Sequence, residues 1–272
     1  MRDFSATPVE MLASMWRNRE LIKALTIREV LGRYRGSALG LLWSLFNPIL
    51  MLAVYTIFFS VIFKARWGGG SGSKTEFALL LFAGLLVFNL FAECINRAPS
   101  LILSNTNYVK KVVFPLEILP FVGLLSALFH TAISLIVWLL AYTIFFGVPY
   151  LTALYLPLVL MPFCLFLMGL SWALASLGVY LRDVSQFIAL LTTALMFLSP
   201  IFFPVTAFPE EYRHILYLNP LTTVVEQTRD LLFWGKTPDF FILGTYWAVT
   251  FGIACLGFVW FQKTRKGFAD VL

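Results

Sequence analysis

The longest uncharged stretch of this chain constrains its fold more than any other feature. Between Glu117 and Arg182 lie 64 residues without Asp, Glu, Lys or Arg, interrupted near the middle by Gly147-Val148-Pro149. A bilayer core about 30 Å thick is crossed by about 20 apolar helical residues, so this stretch predicts two membrane spans joined by a tight turn. Only 12% of the chain is charged, about half the average of soluble domains. The sequence therefore predicts an all-α integral membrane protein.

Six uncharged stretches predict six transmembrane helices. They are residues 39–63, 77–92, 121–146, 155–181, 184–203 and 240–261. The second has 16 residues, so it either extends into the Gly/Ser-rich stretch before it or lies in a locally thinned bilayer. Three spans contain proline, at the four positions 48, 157, 162 and 200. Proline bends a helix, and the bends at Pro48 and Pro200 serve either packing or a gate.

The distribution of basic residues predicts the orientation of the chain. With both termini in the cytoplasm, the inner segments hold 14 Lys and Arg and the outer segments hold 6, as the positive-inside rule requires. We therefore predict an N-in, C-in topology. Because the basic residues adjoin apolar spans, the net charge of +6 favours contact with membrane lipids over binding to nucleic acid.

Residues 1–37 are predicted to form a cytoplasmic amphipathic segment that precedes a permease domain at residues 38–272. From Met11 to Tyr34, apolar residues recur near helical spacing among arginines and lysines. Such a helix lies in the headgroup plane, with Trp16 as an aromatic anchor. Two interpretations stay open: a passive lipid anchor, or a docking face for a cytosolic partner.

Two further segments lie outside the predicted spans. Residues 104–120, on the cytoplasmic side, contain Lys110 and Lys111 followed by two prolines, which predicts a short bounded helix; it is either a lever for another subunit or a solvated connector. In the outer insert, residues 204–239, Pro209 before two glutamates and Asn219-Pro220 are helix-start signals. They predict two short aromatic-rich helices at the outer surface.

Residues suited to catalysis are scarce. The segment GGGSGSKT at residues 68–75 differs from a phosphate-binding loop at Ser73, where the motif has glycine, and we interpret it as a flexible loop. His130 and His214 each stand alone in the sequence, and Glu93 and Arg97 are spaced to pair with each other on one helix. We therefore predict neither a catalytic nor a metal site, no cofactor bound by this chain, and a conduit whose energy source lies elsewhere.

Four blocks of the sequence resemble a known family. They are LTIREVLGRYRGSALGLLWSLFNPIL (residues 25–50), YLRDVSQF (180–187), FLSPIFFP (197–204) and LNPLTTVVEQTRDLLFWG (218–235). They closely resemble the membrane-spanning permease of bacterial ABC exporters for polysaccharides, such as O-antigen, capsule and teichoic acid, and the resemblance runs over essentially the whole chain. It implies a homodimer in the bacterial cytoplasmic membrane, docked on two cytosolic ATPase subunits that bind ATP and magnesium. The implied substrate is a glycan linked to undecaprenyl diphosphate.

The resemblance also implies roles for individual residues. The amphipathic segment becomes the interface helix, with Trp16, Arg17, Arg19, Lys23 and Arg28. The ATPase-coupling contacts become Asn105, Tyr108, Val109, Lys110, Lys111, Arg182 and Asp183. The channel and its gate, bordered by the first and fifth spans and by the outer helices, become Trp43, Pro48, Tyr55, Phe59, Phe197, Pro200, Phe202, Phe203, Tyr212 and Tyr217.

Positive charge near the inner headgroups suggests where an anionic substrate starts. Arg33 and Arg35 are predicted to contact the diphosphate headgroup, because lipid phosphates attract nearby basic residues. The alternatives are an ABC exporter of a lipid or drug, an ion-coupled carrier of a small solute, and a membrane-bound transferase. A carrier is expected to place titratable groups near the midplane of repeated half-chains, and a transferase needs a polar catalytic cluster; the sequence displays neither pattern.

Overall fold

The structure is a computed structural model that describes residues 6–58, 67, 73–110 and 114–272, apart from the side chain of Lys74. Every regular element in these ranges is helical. The α-helices are α1 (Pro8–Arg17), α2 (Arg19–Arg33), α3 (Trp43–Tyr55), α4 (Lys74–Arg97), α5 (Thr106–Lys110), α6 (Leu119–Phe146), α7 (Leu156–Tyr180), α8 (Val184–Leu198), α9 (Glu210–Leu218), α10 (Pro220–Leu232), α11 (Phe240–Thr264) and α12 (Phe268–Val271). Short 3₁₀ turns are Gly40–Leu42, Ala98–Ser100, Leu103–Asn105, Leu116–Ile118, Leu151–Tyr155, Val205–Ala207 and Arg265–Gly267.

Within the described residues, five helical segments are long and apolar enough to cross a membrane. They are Gly40–Phe58, Thr75–Ser100, Leu116–Phe146, Leu151–Tyr180 and Phe240–Val271. The second is longer than predicted, because α4 begins at Lys74 and has 24 residues. Its start is capped by the Ser73 hydroxyl, which accepts a hydrogen bond from the backbone of Glu76. The span therefore extends back to the end of the Gly/Ser-rich stretch. Its length does not require a locally thinned bilayer.

The fifth predicted span is shorter than the sequence suggests. Helix α8 ends at Leu198 after 15 residues, about 22 Å. Helices α7 and α11 run parallel: Tyr155 meets Phe240 where both begin, and Ser176 bonds to Thr264 where both end. Residues 181–239 must therefore return to the face where α7 begins, and α8 is the first helix of that return.

Helix α4 lies at the centre of the bundle. In the most apolar part of this span 83% of the residues are buried, compared with 6% in the most apolar part of the span that contains α3. It packs against α6, α7, α8 and α10. Behind it, α7 and α11 touch backbone to backbone, since a Cβ added at Gly257 would lie 2.1 Å from the carbonyl oxygen of Gly169. Small residues permit such close approach of membrane helices, so these two helices form the tightest pair.

The prolines and the N-terminal segment differ from the predictions. Pro48 and Pro162 lie inside helices, but Pro157 lies in the first turn of α7 and Pro200 lies beyond the end of α8. Proline at those positions begins or follows a helix rather than bending it, so the prediction of a bend at Pro157 and Pro200 is wrong. The N-terminal segment is two helices separated at Asn18, rather than one.

Both outer helices predicted from the sequence are present. Helix α9 begins directly after Pro209, and the Asn219 side chain caps α10 by accepting a hydrogen bond from the backbone of Leu221. The second helix ends at Leu232, and Gly235 follows with φ of 65°. Because Arg229 of α10 bonds to Leu80 of α4, α10 packs beside the part of α4 nearest its start.

Candidate functional site

A polar stripe on the second half of α4 faces a cavity at one end of the bundle. Among the described side chains of this helix, Asn89 and Asn96 alone are exposed, with Glu93 and Arg97 half-buried next to them. These four positions share one helical face, because residues three, four and seven apart in a helix lie together. Polar groups in a membrane helix usually face the interior of the bundle or a cavity, and this stripe faces a cavity.

The cavity measures about 740 Å³ and lies between α4, α3, α6 and the end of α2. Helix α3 contributes Trp43, Ser44, Asn47, Pro48 and Tyr55. Planar amides, hydroxyls and aromatic rings therefore share its wall. Such a mixture can hydrogen-bond a polar ligand and cover it with ring faces.

Two ion pairs stand at the polar wall. Arg33, the last residue of α2, places its Nη1 2.5 Å from Oε1 of Glu93 and 2.9 Å from Nδ1 of His130. His130 Nδ1 also lies 3.0 Å from Oε1 of Glu93. Arg97 pairs with Glu29 of α2, with 2.6 Å between Nη1 and Oε1. The prediction that Glu93 and Arg97 pair with each other is therefore wrong, and so is the description of His130 as isolated.

A hydrogen bond connects the polar stripe to α8. The Thr192 hydroxyl donates to the Asn96 side-chain oxygen across 3.0 Å. Helix α3 lines the cavity on one side of the stripe, and α8 contacts the stripe through Asn96. The second span therefore lies between the first and the fifth, the two spans expected to border a path.

Helix α1 is bound to the bundle by a buried ionic network. Glu117 accepts a hydrogen bond from the Ser14 hydroxyl of α1 at 2.8 Å and pairs with Arg265 at 2.6 Å. Arg265 also donates to the Phe114 carbonyl, and the Trp172 indole donates to the Glu117 carbonyl. One carboxylate thus joins α1, the segment before α6, and the end of α11.

The predicted coupling segment forms a short helix next to α2. Tyr108 of α5 stacks on Phe114, with ring centroids 4.2 Å apart, and its hydroxyl accepts a hydrogen bond from Arg28 at 2.9 Å. Lys110 donates to the carbonyl of Leu272. Lys111 and Val112 lie outside the described residues. Arg28 therefore joins α5 directly to α2, whose last residue lines the cavity.

At the other end of the bundle, the Arg229 guanidinium connects three elements. It donates to the carbonyls of Leu80, Pro200 and Ile201, and it pairs with Glu226 at 3.1 Å. Its carbon lies 4.4 Å from the ring centre of Trp67. Burial lowers the pKa of the Arg229 guanidinium to about 10, so it stays charged at neutral pH. Burial also raises the pKa of Glu226.

Comparison with known proteins identifies the family. The sequence profile of the ABC-2 type transporter family matches residues 20–233, most of the chain. The chain belongs to the ABC-2 type transporter family. An O-antigen export system permease protein, RfbA of Myxococcus xanthus, is 26% identical over 264 residues, which cover 96% of this chain and 99% of the relative. RfbA of Klebsiella pneumoniae is 24% identical over 255 residues, covering 93% and 95%.

A further relative transports a different polysaccharide. The polysialic acid transport protein KpsM of Escherichia coli is 27% identical over 219 residues, which cover 79% of this chain and 81% of the relative. The resemblance to polysaccharide exporter permeases that the sequence blocks indicated is therefore confirmed. The long apolar helices and the family together make this ABC-2 permease a multi-pass membrane protein.

The channel and gate residues predicted in this ABC-2 permease occupy two regions. Trp43, Pro48 and Tyr55 line the cavity, whereas Phe59 lies outside the described residues. Phe197 is exposed on α8 and stacks with Phe202 at 5.7 Å. The remaining members lie at or beyond the end of α8, with Pro200 buried, Phe203 half-buried, and Tyr212 and Tyr217 exposed on α9.

The predicted docking residues lie at the end of the bundle where α7 and α11 end. Trp16 is exposed, and Arg19 lies over its ring at 5.0 Å. Arg17, Lys23, Arg182 and Asp183 are exposed, and Asn105 and Val109 are half-buried. The turn with Arg182 and Asp183 belongs to the same face as the segment before α5, since a Cβ added at Gly178 would meet the Pro99 carbonyl. Arg35 is exposed and is not part of the described cavity wall.

Sequence reasoning missed the residues that make the cavity polar. Asn47, Asn89, Asn96 and His130 were not among the predicted site residues. A signal was available, because Asn89, Glu93 and Asn96 follow helical spacing within an apolar helix. In the parts of the chain that the structure describes, no cluster of three or more His, Cys, Asp and Glu side chains forms a metal site.

Proposed function

We propose that this ABC-2 permease is the membrane-spanning subunit of an ATP-driven exporter of a lipid-linked polysaccharide, with O-antigen as the preferred substrate. Two copies form the path, and two separate cytosolic subunits bind ATP and magnesium. The principal support is a whole-length match to permeases named for O-antigen export. The proposed location is the bacterial cytoplasmic membrane, with both termini in the cytoplasm.

The exposure of α3 supports a pairing of two copies. Its apolar residues Leu45, Phe46, Ile49, Leu50 and Val54 are exposed, although the helix contributes to the cavity wall. Helix α8 is similarly exposed at Phe187, Leu190, Phe197 and Leu198. A symmetric dimer places the same surface of each copy at the interface. We infer that α8 and the segment after it complete the remaining crossing, the fifth along the chain. Helices α3 and α8 then face the second copy across the path.

The arrangement of the cytoplasmic face supports an ATPase partner. Exposed basic residues of α1 and α2, the short helix α5, and the Arg182-Asp183 turn lie at the membrane side that the positive-inside rule assigns to the cytoplasm. Arg28 connects α2 to α5, so a push on either helix reaches the other. We propose that this surface is where the ATPase subunits dock.

The charged wall of the cavity supports a lipid-linked anionic substrate. Arg33 lies at the inner end of the bundle, where the phosphate of an inner-leaflet lipid is found. The neighbouring amides and Trp43 suit the first sugars of a glycan, because sugars combine hydroxyl groups with apolar ring faces. Glycan recognition therefore begins next to the headgroup.

Deletion of the gene in its host tests the proposal. We expect the cells to lose surface polysaccharide and to accumulate undecaprenyl-linked glycan inside, as detected by gel analysis of whole cells and by mass spectrometry of extracted lipids. The wild-type gene should restore both, whereas a variant with α5 replaced by a glycine linker should restore neither. Normal surface glycan in the deletion strain contradicts the proposal and leaves export of a lipid or drug as the alternative.

Transport by the isolated chain separates the exporter from an ion-coupled carrier. The purified permease in vesicles should move no substrate unless its ATPase subunits and ATP are present. Transport driven by an ion gradient without them would support the carrier instead.

A further inference from the structure

The proposed function requires that an anionic headgroup both bind and leave, and the ion pairs of the cavity offer a mechanism. Both described contacts of the Arg33 guanidinium, to Glu93 and to His130, use Nη1. A guanidinium has five N–H donors, so other donors of Arg33 remain for a ligand. The side chain is half exposed, whereas its partner Glu93 is 16% exposed.

The second guanidinium in the wall is held in the same way. Arg97 pairs with Glu29, and both arginines line the cavity. Each positive charge is therefore balanced by one carboxylate. A ligand with one negative charge gains little by displacing such a carboxylate, because the attraction that it makes replaces the one that it breaks. A ligand with two or more negative charges gains more.

His130 holds the released carboxylate. Its Nδ1 lies within hydrogen-bond distance of both Glu93 and Arg33, so it can bond to Glu93 after Arg33 turns to a ligand. Its Nε2 is buried without a hydrogen-bond partner among the described residues. A polar atom left unpaired in a buried position is costly, which fits a site that is completed when a ligand is bound.

We propose that Glu93 is an internal competitor for Arg33 and thereby selects lipids with a diphosphate headgroup over lipids with a phosphodiester headgroup. The inference rests on the proposed function and names Glu93 as the residue that determines which lipid headgroup is bound. In the empty cavity Glu93 holds Arg33; a prenyl diphosphate displaces Glu93, which keeps its bond to His130. When the headgroup moves on, Glu93 takes Arg33 back. Discrimination by a built-in unfavourable charge is a general means of specificity.

Binding measurements on the purified full chain test this inference. The permease is placed in nanodiscs of phosphatidylcholine, and binding of radiolabelled farnesyl diphosphate is measured in competition with farnesol, inorganic diphosphate and phosphatidylglycerol. We expect unlabelled farnesyl diphosphate to compete strongly and the other three to compete weakly. Equal competition by inorganic diphosphate would overturn the assignment to a lipid headgroup.

The variants separate competition from a structural role. Glu93→Gln should bind farnesyl diphosphate about tenfold more tightly, because one opposing charge at the site is removed, and it should now bind phosphatidylglycerol. Arg33→Gln should lose binding, and Arg33→Lys should restore part of it. Glu20→Gln is the matched control, since Glu20 is an exposed cytoplasmic carboxylate of α2 with only a 3.6 Å contact to Arg19 among the described residues; its affinity should equal that of the wild type.

Unchanged or weaker binding by Glu93→Gln overturns the inference, because removal of a competing carboxylate must leave Arg33 more available to the ligand. Thermal unfolding of each variant shows whether the fold is retained. The Glu93→Lys variant gives a second measurement if Glu93→Gln unfolds. If Glu93→Gln does not tighten binding but the deletion strain loses surface glycan, the competitor role of Glu93 is rejected and the proposed exporter function is retained.

Discussion

Two carboxylates at the inner end of the bundle, Glu117 and Glu93, have similar partners and opposite surroundings. Glu117 pairs with Arg265, and both side chains are about one-tenth exposed. Glu93 pairs with Arg33, which is half exposed at the wall of a cavity. The first pair is enclosed by four elements, and the second is open to a ligand. The same ion pair therefore fixes structure in one place and remains exchangeable in the other.

The comparison shows that exposure of the arginine, rather than the presence of the pair, distinguishes the two roles. A buried pair is costly to break, because each partner leaves an uncompensated charge behind. A pair next to water costs less to break, since water and a ligand can replace the lost partner. Glu117 therefore serves assembly, and Glu93 serves exchange.

The largest effect is expected from Glu117→Ala. The change leaves Arg265 buried without its carboxylate and removes the acceptor of Ser14, which should destabilise the protein by about 3–5 kcal/mol. We expect little folded protein in size-exclusion chromatography of detergent extracts. Glu10→Ala, which removes an exposed pair on α1, is the control and should leave the yield intact. Normal yield and melting temperature for Glu117→Ala would show that the enclosed pair is as exchangeable as the open one.

Next in size is the effect of Arg33→Gln on export. Loss of a charged hydrogen bond to the substrate is worth about 1.5–3 kcal/mol, which corresponds to about a tenfold or greater loss of export rate. Surface glycan measured by pulse labelling should decline accordingly, while the melting temperature stays close to the wild-type value.

Arg35→Gln is the comparison for this variant. Both arginines were predicted to contact the headgroup, but only Arg33 lines the described cavity. Export should therefore fall much less in Arg35→Gln. Equal loss in the two variants would indicate a general attraction to basic residues instead of a built site.

The smallest effect is expected from Thr192→Val, which removes the hydrogen bond between α8 and Asn96. A neutral hydrogen bond contributes about 0.5–1.5 kcal/mol, so export should fall by roughly threefold to tenfold at most. Thr193→Val is a matched control, because among the described residues its hydroxyl donates to the backbone of its own helix, at Ala189. A large loss in both variants would point to α8 itself and not to the polar stripe.

The sequence predicted the membrane class, most of the spans and the helix starts, because these depend on local signals. Uncharged length defines a span, and Asn219-Pro220 defines the start of α10 whatever lies around it. It failed where partners lie far apart in the chain. The bond of Glu93 to Arg33 spans 60 residues. The packing of α2 on α6, together with that of α6 on α4, brings the two together.

The error at Pro200 has a similar cause. The uncharged residues after Leu198 satisfy a rule based on hydrophobic length, but the carbonyls of Pro200 and Ile201 are bound by Arg229 from a later helix. Ser199, the residue before Pro200, is extended, as residues before proline usually are; the helix therefore ends early, and Arg229 binds the carbonyls that follow. A pattern read along the chain contains no information about that arginine.

The hold of Arg229 on the residues beyond α8 has a mechanical consequence. Helix α8 starts directly after the turn at Arg182-Asp183 and ends next to residues that Arg229 of α10 binds at the other end of the bundle. A single helix therefore joins these two points. We expect a displacement at the turn to be carried along α8 to the segment that Arg229 binds, with no further element between them.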